Sequence, residues 1–276
     1  LTKRSESISL DKRFERLNWL IRGWVNYFKM SKMKKFLTRA GSGLIYAGVI
    51  VGSILGGRLS FFLLVMLLAV LASIEFTKIT QGLRGERKWM TTLDIVTATA
   101  LAASSYADLL YLSLALFLVR FIAELYSREE NPLRSLAYSL LTIVYIGGSL
   151  SLLLYCGLEI SLSLVLAMFI FIWINDTGAY IVGCQFGKHR LFERISPKKS
   201  WEGFFGGLGF NILFACLFCG LMPEWWGLGS NYIFWVGLAI VVTMFSTWGD
   251  LVESLMKRTL NLKDSGNMIP GHGGIV

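Results

Sequence analysis

Proline and cysteine are scarce in this chain of 276 residues, with four of each. The prolines stand at 132, 197, 223 and 270, and none interrupts an apolar run, so helices can run through those segments unbroken. Four cysteines provide no disulfide framework. Cys216-Leu-Phe-Cys219 is formally a CxxC, but it lies within an apolar run without a second pair, so it reads as buried small residues rather than a metal or redox site. A long polar insertion is missing, as is any internal repeat, which argues against a soluble catalytic domain or a solenoid. Basic residues are nearly absent from every second connection between apolar runs, where Arg58 stands alone.

What is present is apolar. Hydrophobic residues make up 54% of the chain and mean hydropathy is +0.58. The expected fold class is all-α, a polytopic membrane helix bundle. About eight spans are expected, near 41–57, 59–77, 93–106, 109–126, 136–156, 160–182, 203–222 and 232–249. The first and third are short for a bilayer. The other set of connections carries fourteen bases, from Lys78 to Lys263. The positive-inside rule puts that side, with the N-terminus, in the cytoplasm, and the expected location is a bacterial cytoplasmic (inner) membrane. A further eleven of the chain's 27 Lys and Arg residues fall within the first 39 residues. Residues 1–32 read as an extraneous basic and aromatic segment, a fusion or an upstream frame. Within it Arg16–Phe28 is similar to a stretch near the C-terminal end of group II intron maturases. Met33-Lys-Lys-Phe-Leu-Thr-Arg39 then looks like an authentic start, leaving 33–276 as the membrane-embedded domain, for which no nucleic acid partner is expected.

Three polar clusters interrupt the apolar pattern, and ionisable groups at membrane depth are rare enough to mark function. In the last, Asp250, Glu253, Ser254, Lys257 and Arg258 fall on one helix face by their spacing. The acids lie nearer the apolar run and the bases nearer water. That order suits a divalent cation on the carboxylates and phosphates on Lys257 and Arg258; a snorkelling helix end is the plain alternative. Lys263, Asp264 and a Pro270-Gly-His272-Gly-Gly turn follow, in which His272 either sits beside metal or phosphate or stabilises the turn. The second cluster holds Asn175, Asp176 and, one turn on, Tyr180; it is either a cavity lining or an interhelical hydrogen-bond node. The third is Ser196-Pro-Lys198-Lys199-Ser200-Trp-Glu202-Gly. There Ser200 can cap the next helix, whose free N–H groups favour an anion, while the two lysines add charge. Gly203-x-x-x-Gly207 reads as close helix packing. Glu75, Arg120 and Glu124 are placed to snorkel, with Arg120 and Glu124 paired one turn apart, and His189 reads as a solvated loop residue.

The stretch from Ser254 to Val276, SLMKRTLNLKDSGNMIPGHGGIV, resembles the signature of the phosphatidate cytidylyltransferase family, also called CDP-diacylglycerol synthases. Similar Asp-Thr-x-Ala-Tyr-x-x-Gly and Ser-Pro-Lys-Lys-Ser/Thr-x-Glu-Gly elements match the second and third clusters. The resemblance implies transfer of CMP from CTP to phosphatidate, giving CDP-diacylglycerol and pyrophosphate. It implies Mg²⁺, with a second cation as an option, a lipid bilayer as surroundings and a homodimer. The residues it assigns to catalysis are Asp250, Lys257, Arg258 and Asp264, with Asp250 as metal ligand. Substrate binding falls to Asp176, Tyr180, Ser196, Lys198, Lys199, Ser200, Glu202, Glu253, Ser254, Lys263 and His272. The family pattern continues into Asp-Arg, another Asp and a last helix, whereas this sequence stops at Val276, so a C-terminally truncated domain is expected. Two other classes fit parts of the pattern. A membrane CTP-dependent kinase of a polyprenol or phytol alcohol would give a phosphorylated alcohol as product, and a transporter would show repeat symmetry.

Overall fold

The computed structural model describes residues 15, 41–84, 88–127, 131–221, 231–260, 262 and 274. Asp264, Lys263 and His272, with nearly all of 1–32, lie outside the described residues. The remainder is helical, as expected: α1 (Gly41–Leu55), α2 (Arg58–Arg84), α3 (Lys88–Ala107), α4 (Leu110–Leu125), α5 (Pro132–Ile160), α6 (Leu162–Phe186), α7 (Trp201–Leu221) and α8 (Tyr232–Thr259). Two π-helical segments, Leu141–Gly148 and Cys156–Ile160, lie within α5. One element departs from the all-α expectation. Between α6 and α7, β1 (Arg190–Phe192) pairs antiparallel with β2 (Ser196–Ser200).

The caps follow local chemistry. Asn131 accepts from Arg134 N with Pro132 at the first position of α5, Ser161 accepts from Ser163 N to start α6, and Asn231 accepts from Ile233 N and Phe234 N to start α8. Among the described residues five helices are long and apolar enough to cross a membrane: α2, α5, α6, α7 and α8. The other predicted spans fall in helices that miss that measure. At 16 residues α4 reaches about 24 Å against a hydrocarbon core of roughly 30 Å. Lys88, Asp94 and several threonines and serines lower the hydropathy of α3.

Two apolar centres hold the bundle. Phe171 and Ala167 of α6, Ala215 and Cys219 of α7, and Trp235, Ala239 and Val242 of α8 form one. Cys219 thus packs as the small hydrophobe its sequence context suggests. Ile50, Ile54, Phe61, Val65, Leu154, Leu158 and Val165 join α1, α2, α5 and α6 in the other.

The acids and arginine expected to snorkel do not reach water. Arg120 is 1% exposed and Glu75 and Glu124 are each 4% exposed. Arg120 Nε donates to Asp94 Oδ1 and to Ser139 Oγ, each at 3.1 Å, and Nη2 donates to Ser135 Oγ at 2.8 Å, while Nη1 binds Glu124. Ser139 Oγ also donates to Asp94 Oδ2 at 2.7 Å, and Ser135 Oγ to Glu124 Oε2 at 3.1 Å. A guanidinium with this many fixed acceptors has little to gain from the surface, so α3, α4 and α5 are tied together from within. Replacing Arg120 by Met strands two buried carboxylates and is expected to cost about 3–5 kcal/mol. The check is thermal denaturation of the detergent-solubilised protein; adding Asp94→Asn and Glu124→Gln in the same chain is expected to recover most of the loss.

Candidate active site

The site begins with a close approach of two helices. An alanine Cβ at Gly203 would lie 2.9 Å from the Ala179 carbonyl oxygen, and one at Gly207 would lie 2.9 Å from that of Asn175. With hydrogens there instead, α6 and α7 touch backbone to backbone, as the four-residue glycine spacing predicts. Asn175 Nδ2 then donates to Ser246 Oγ of α8 at 3.2 Å, and Asn211 Nδ2 to Thr243 Oγ1 at 2.8 Å, which sets the rotation of α8 against the pair.

Where α6 and α7 part, they open a cavity of ≈ 580 Å³, within the roughly 300–1,000 Å³ usual for small-molecule sites. From α6 it is lined by Asn175, Asp176, Ala179, Tyr180, Gly183 and Cys184. The hairpin adds Arg190, Leu191, Lys198, Lys199 and Ser200, and Gly203, Phe204 and Thr247 close it from α7 and α8. Ser200 caps α7: its Oγ accepts from Gly203 N at 3.2 Å. Lys199 Nζ is ion-paired with Asp250, and Asp176 lies within electrostatic range of both. Buried Asn175 Oδ1, at the cavity wall, is without a hydrogen-bond partner among the described residues.

The predicted site residues therefore divide. Asp176, Tyr180, Lys198, Lys199 and Ser200 meet around one space, with Asp250 joined to it through Lys199. Ser196 starts β2 opposite Phe192 and does not line the cavity. Glu253 and Lys257 pair with each other and face a cleft of ≈ 20 Å³ with Phe76, Ile79, Met256, Leu260 and Leu262. That cleft holds about one water, so neither residue reaches the larger cavity. Ser254 is half-buried and Arg258 exposed, and neither lines the larger cavity or the small cleft. One shared helix face did not mean one shared neighbour: Asp250 turns to the hairpin, and Glu253 and Lys257 turn to α2.

Glu202 also has a different place from the one expected. It accepts from Lys188 N and His189 N at 3.2 Å each and meets His189 Nδ1 at 2.6 Å, and Trp201 N donates to the His189 carbonyl at 2.9 Å. The carboxylate clamps the 187–189 turn to the start of α7 and carries the cavity's hairpin with it. His189 is solvated and lies in a loop, as expected, and it also serves as the fastening point. The sequence signal was available, since a glutamate at the second position of a helix satisfies nearby N–H groups.

Two carboxylates, a run of cations, a helix N-terminus and a ligand-sized cavity suit a polyphosphate. The cytidylyltransferase family model matches residues 37–276. The chain belongs to that family. A model of the group II intron maturase-specific domain matches residues 1–42. Among curated proteins the chain is similar to the phosphatidate cytidylyltransferase of Staphylococcus epidermidis, 39% identical over 150 residues, and to that of Staphylococcus aureus, 36% over 155. The protein of that name from Staphylococcus saprophyticus is 38% identical over 152. Each alignment covers 54% of this chain and 56% of the relative. The chain spans about half the length of the curated relatives it matches.

The donors present fit the cation that this family implies. Mg²⁺ prefers oxygen and usually takes one or two carboxylates plus substrate phosphates rather than a full protein cage. Among the described residues no group of three or more His, Cys, Asp or Glu side chains gathers, while Asp176 lines the cavity and Asp250 stands behind Lys199, within electrostatic range of it. Replacing Glu202 by Gln is expected to loosen the 187–189 turn. Trypsin should then cut after Lys188 or Arg190 several times faster than in the parent, with unchanged helical circular dichroism; equal cleavage rates would mean the clamp is idle.

Proposed function

We propose that the chain transfers CMP from CTP to phosphatidate, forming CDP-diacylglycerol and releasing pyrophosphate for phospholipid synthesis. One observation carries the reading: Asp176, Lys198, Lys199 and Ser200, with Asp250 behind Lys199, surround a single cavity in a chain of the cytidylyltransferase family. In the reaction a phosphatidate phosphate oxygen forms a bond to the α-phosphorus of CTP, and the bond from that phosphorus to the bridging oxygen of pyrophosphate breaks. The nucleophile is already anionic, so positioning and charge neutralisation provide most of the rate. Lys198 and Lys199 hold phosphate oxygens, and the capped N-terminus of α7 favours the same charge. Asp176 and Asp250 would hold the cation; Mg²⁺, alone or with a second cation, would offset the charge that builds on the leaving pyrophosphate. Asp264, Lys263 and His272 are proposed to complete the site from the C-terminal stretch.

The surroundings are part of the proposal. The five long apolar helices support a bilayer setting, and α1, α3 and α4 are proposed to bring the crossings to about eight. The asymmetry of fourteen bases against Arg58 puts the hairpin and cavity on the cytoplasmic side, where CTP is, in a bacterial inner membrane. Phosphatidate then enters from the lipid, and two copies of the chain pair as a homodimer. Residues 1–32 stand apart from this unit.

The test is transfer of label from α-³²P-CTP into a chloroform-soluble product, with phosphatidate and Mg²⁺ added to membranes that hold the chain. A labelled nucleotide-lipid is expected. Label that instead follows the γ-phosphate into an alcohol would replace the proposal with a lipid kinase. Asp250→Asn is expected to lower turnover by about two orders of magnitude or more while keeping the fold. Near-normal transfer by that variant would remove Asp250 from the reaction.

A further inference from the structure

The cations around the cavity are not equivalent. Lys199 is committed to Asp250, and its ammonium also lies 3.5 Å from the Thr247 carbonyl. Arg190 and Lys198 differ. Both line the cavity, and neither makes an ion pair among the described residues. They come from adjacent strands of one hairpin, fastened at its base where the His189 carbonyl accepts from Trp201 N.

The register of that hairpin explains how three cations reach one space. Arg190 stands opposite Ser200 and Phe192 opposite Ser196, so β2 covers four residues over the distance that β1 covers in two. In a regular strand Lys198 and Lys199 would point to opposite faces. The irregularity breaks that alternation, as bulges do beside binding sites, and both lysines line the cavity. Arg190 is paired across the hairpin with Ser200, the residue that caps α7. The charge count makes it decisive. With Arg190 the cavity has three cations against Asp176 and Asp250; without it the count is two against two and the field no longer favours an anion.

We infer that Arg190 is the residue that grips the terminal phosphates of the nucleotide. Its planar fork takes two oxygens of one phosphate, while Lys198 serves as a point charge and Lys199 is shared with Asp250. The inference rests on the phosphoryl-transfer reading above and assigns a specific task to a residue outside the set named from sequence.

The test uses the full chain in detergent or lipid nanodiscs and equilibrium dialysis with three probes: CTP, CMP and inorganic tripolyphosphate, each with Mg²⁺. Arg190→Gln is expected to weaken CTP and tripolyphosphate by roughly tenfold or more, the size of a lost charge-assisted bond, and to leave CMP within about twofold. Arg190→Lys is expected to fall between, because it keeps the charge and loses the fork. Because Arg190 is exposed, the fold should survive, and helical circular dichroism checks that. Equal binding of CTP by the parent and Arg190→Gln would overturn the assignment while leaving the proposed function in place. So would a parallel loss of CTP and CMP. Arg190-dependent binding of tripolyphosphate without binding of CTP would sustain the assignment and sink the cytidylyl reading. Binding of neither probe by the parent would end both.

Discussion

The near-contact of α6 and α7 is the constraint on which the site depends. Gly203 and Gly207 leave no room for a side chain against the carbonyls of Ala179 and Asn175. Because the two backbones touch there, the residues one turn further on stand on opposite walls of one opening. Those are Asp176, Tyr180 and Gly183 on α6, and Ser200, Gly203 and Phe204 at the start of α7. Dispersion between close backbones needs no apolar driving force, which suits a lipid setting where burial of apolar surface is nearly neutral. Polar amides then supply what glycine cannot. Asn175 and Asn211 each bond a hydroxyl on α8 and so determine which side of that helix meets the opening. Thr247 and Asp250 follow from that rotation.

Charge is handled by a consistent economy of partners. Lys199 meets Asp250, Lys257 meets Glu253 and His189 meets Glu202, all near the ends of helices. The Lys199–Asp250 pair has side chains 29% and 50% exposed, so it is reachable by solutes and weakly held. A pair of this kind can exchange its members for a phosphate and a cation without a large desolvation penalty. Glu202 has the opposite role: its acceptors are filled by the turn it fastens, which leaves it nothing to offer a ligand.

Much of this was readable before any coordinates. Apolar runs of spanning length gave the helical membrane class, and the cost of Asn and Asp inside such a run drew attention to Asp176. Ser-Pro at 196–197 followed by Ser200 before an apolar stretch marked a capped helix start, and the cap is there. The failures have common physical roots. Helical spacing gives the angle of a side chain around its own axis, not the neighbour that will stand there, so Asp250 and Lys257 were grouped although they face different helices. Arg190 was one of five bases between 188 and 199, with nothing local to single it out until the strand register put it across from Ser200. The Arg120–Glu124 pair was legible one turn apart and is there, but snorkelling was expected because the other partners of Arg120 are distant in sequence. Asp94 is 26 residues away and Ser139 is 19.

Those separations bear on how the protein is made. Asp94 on α3 meets Arg120 on α4, 26 residues later, and Ser139 on α5, 45 residues later. During synthesis α3 emerges with a carboxylate whose counter-charge has not yet been built, and α4 emerges with an arginine before its serines exist. An unpaired ionisable group in hydrocarbon is disfavoured by a few kcal/mol even on the most lenient scale. Arg120 brings Glu124 with it on α4, but the carboxylate of Asp94 on α3 has its counter-charge only once α4 has arrived. The ring of acceptors around the buried arginine is therefore complete only when α3, α4 and α5 are all present, which makes the docking of these three helices an all-or-none step.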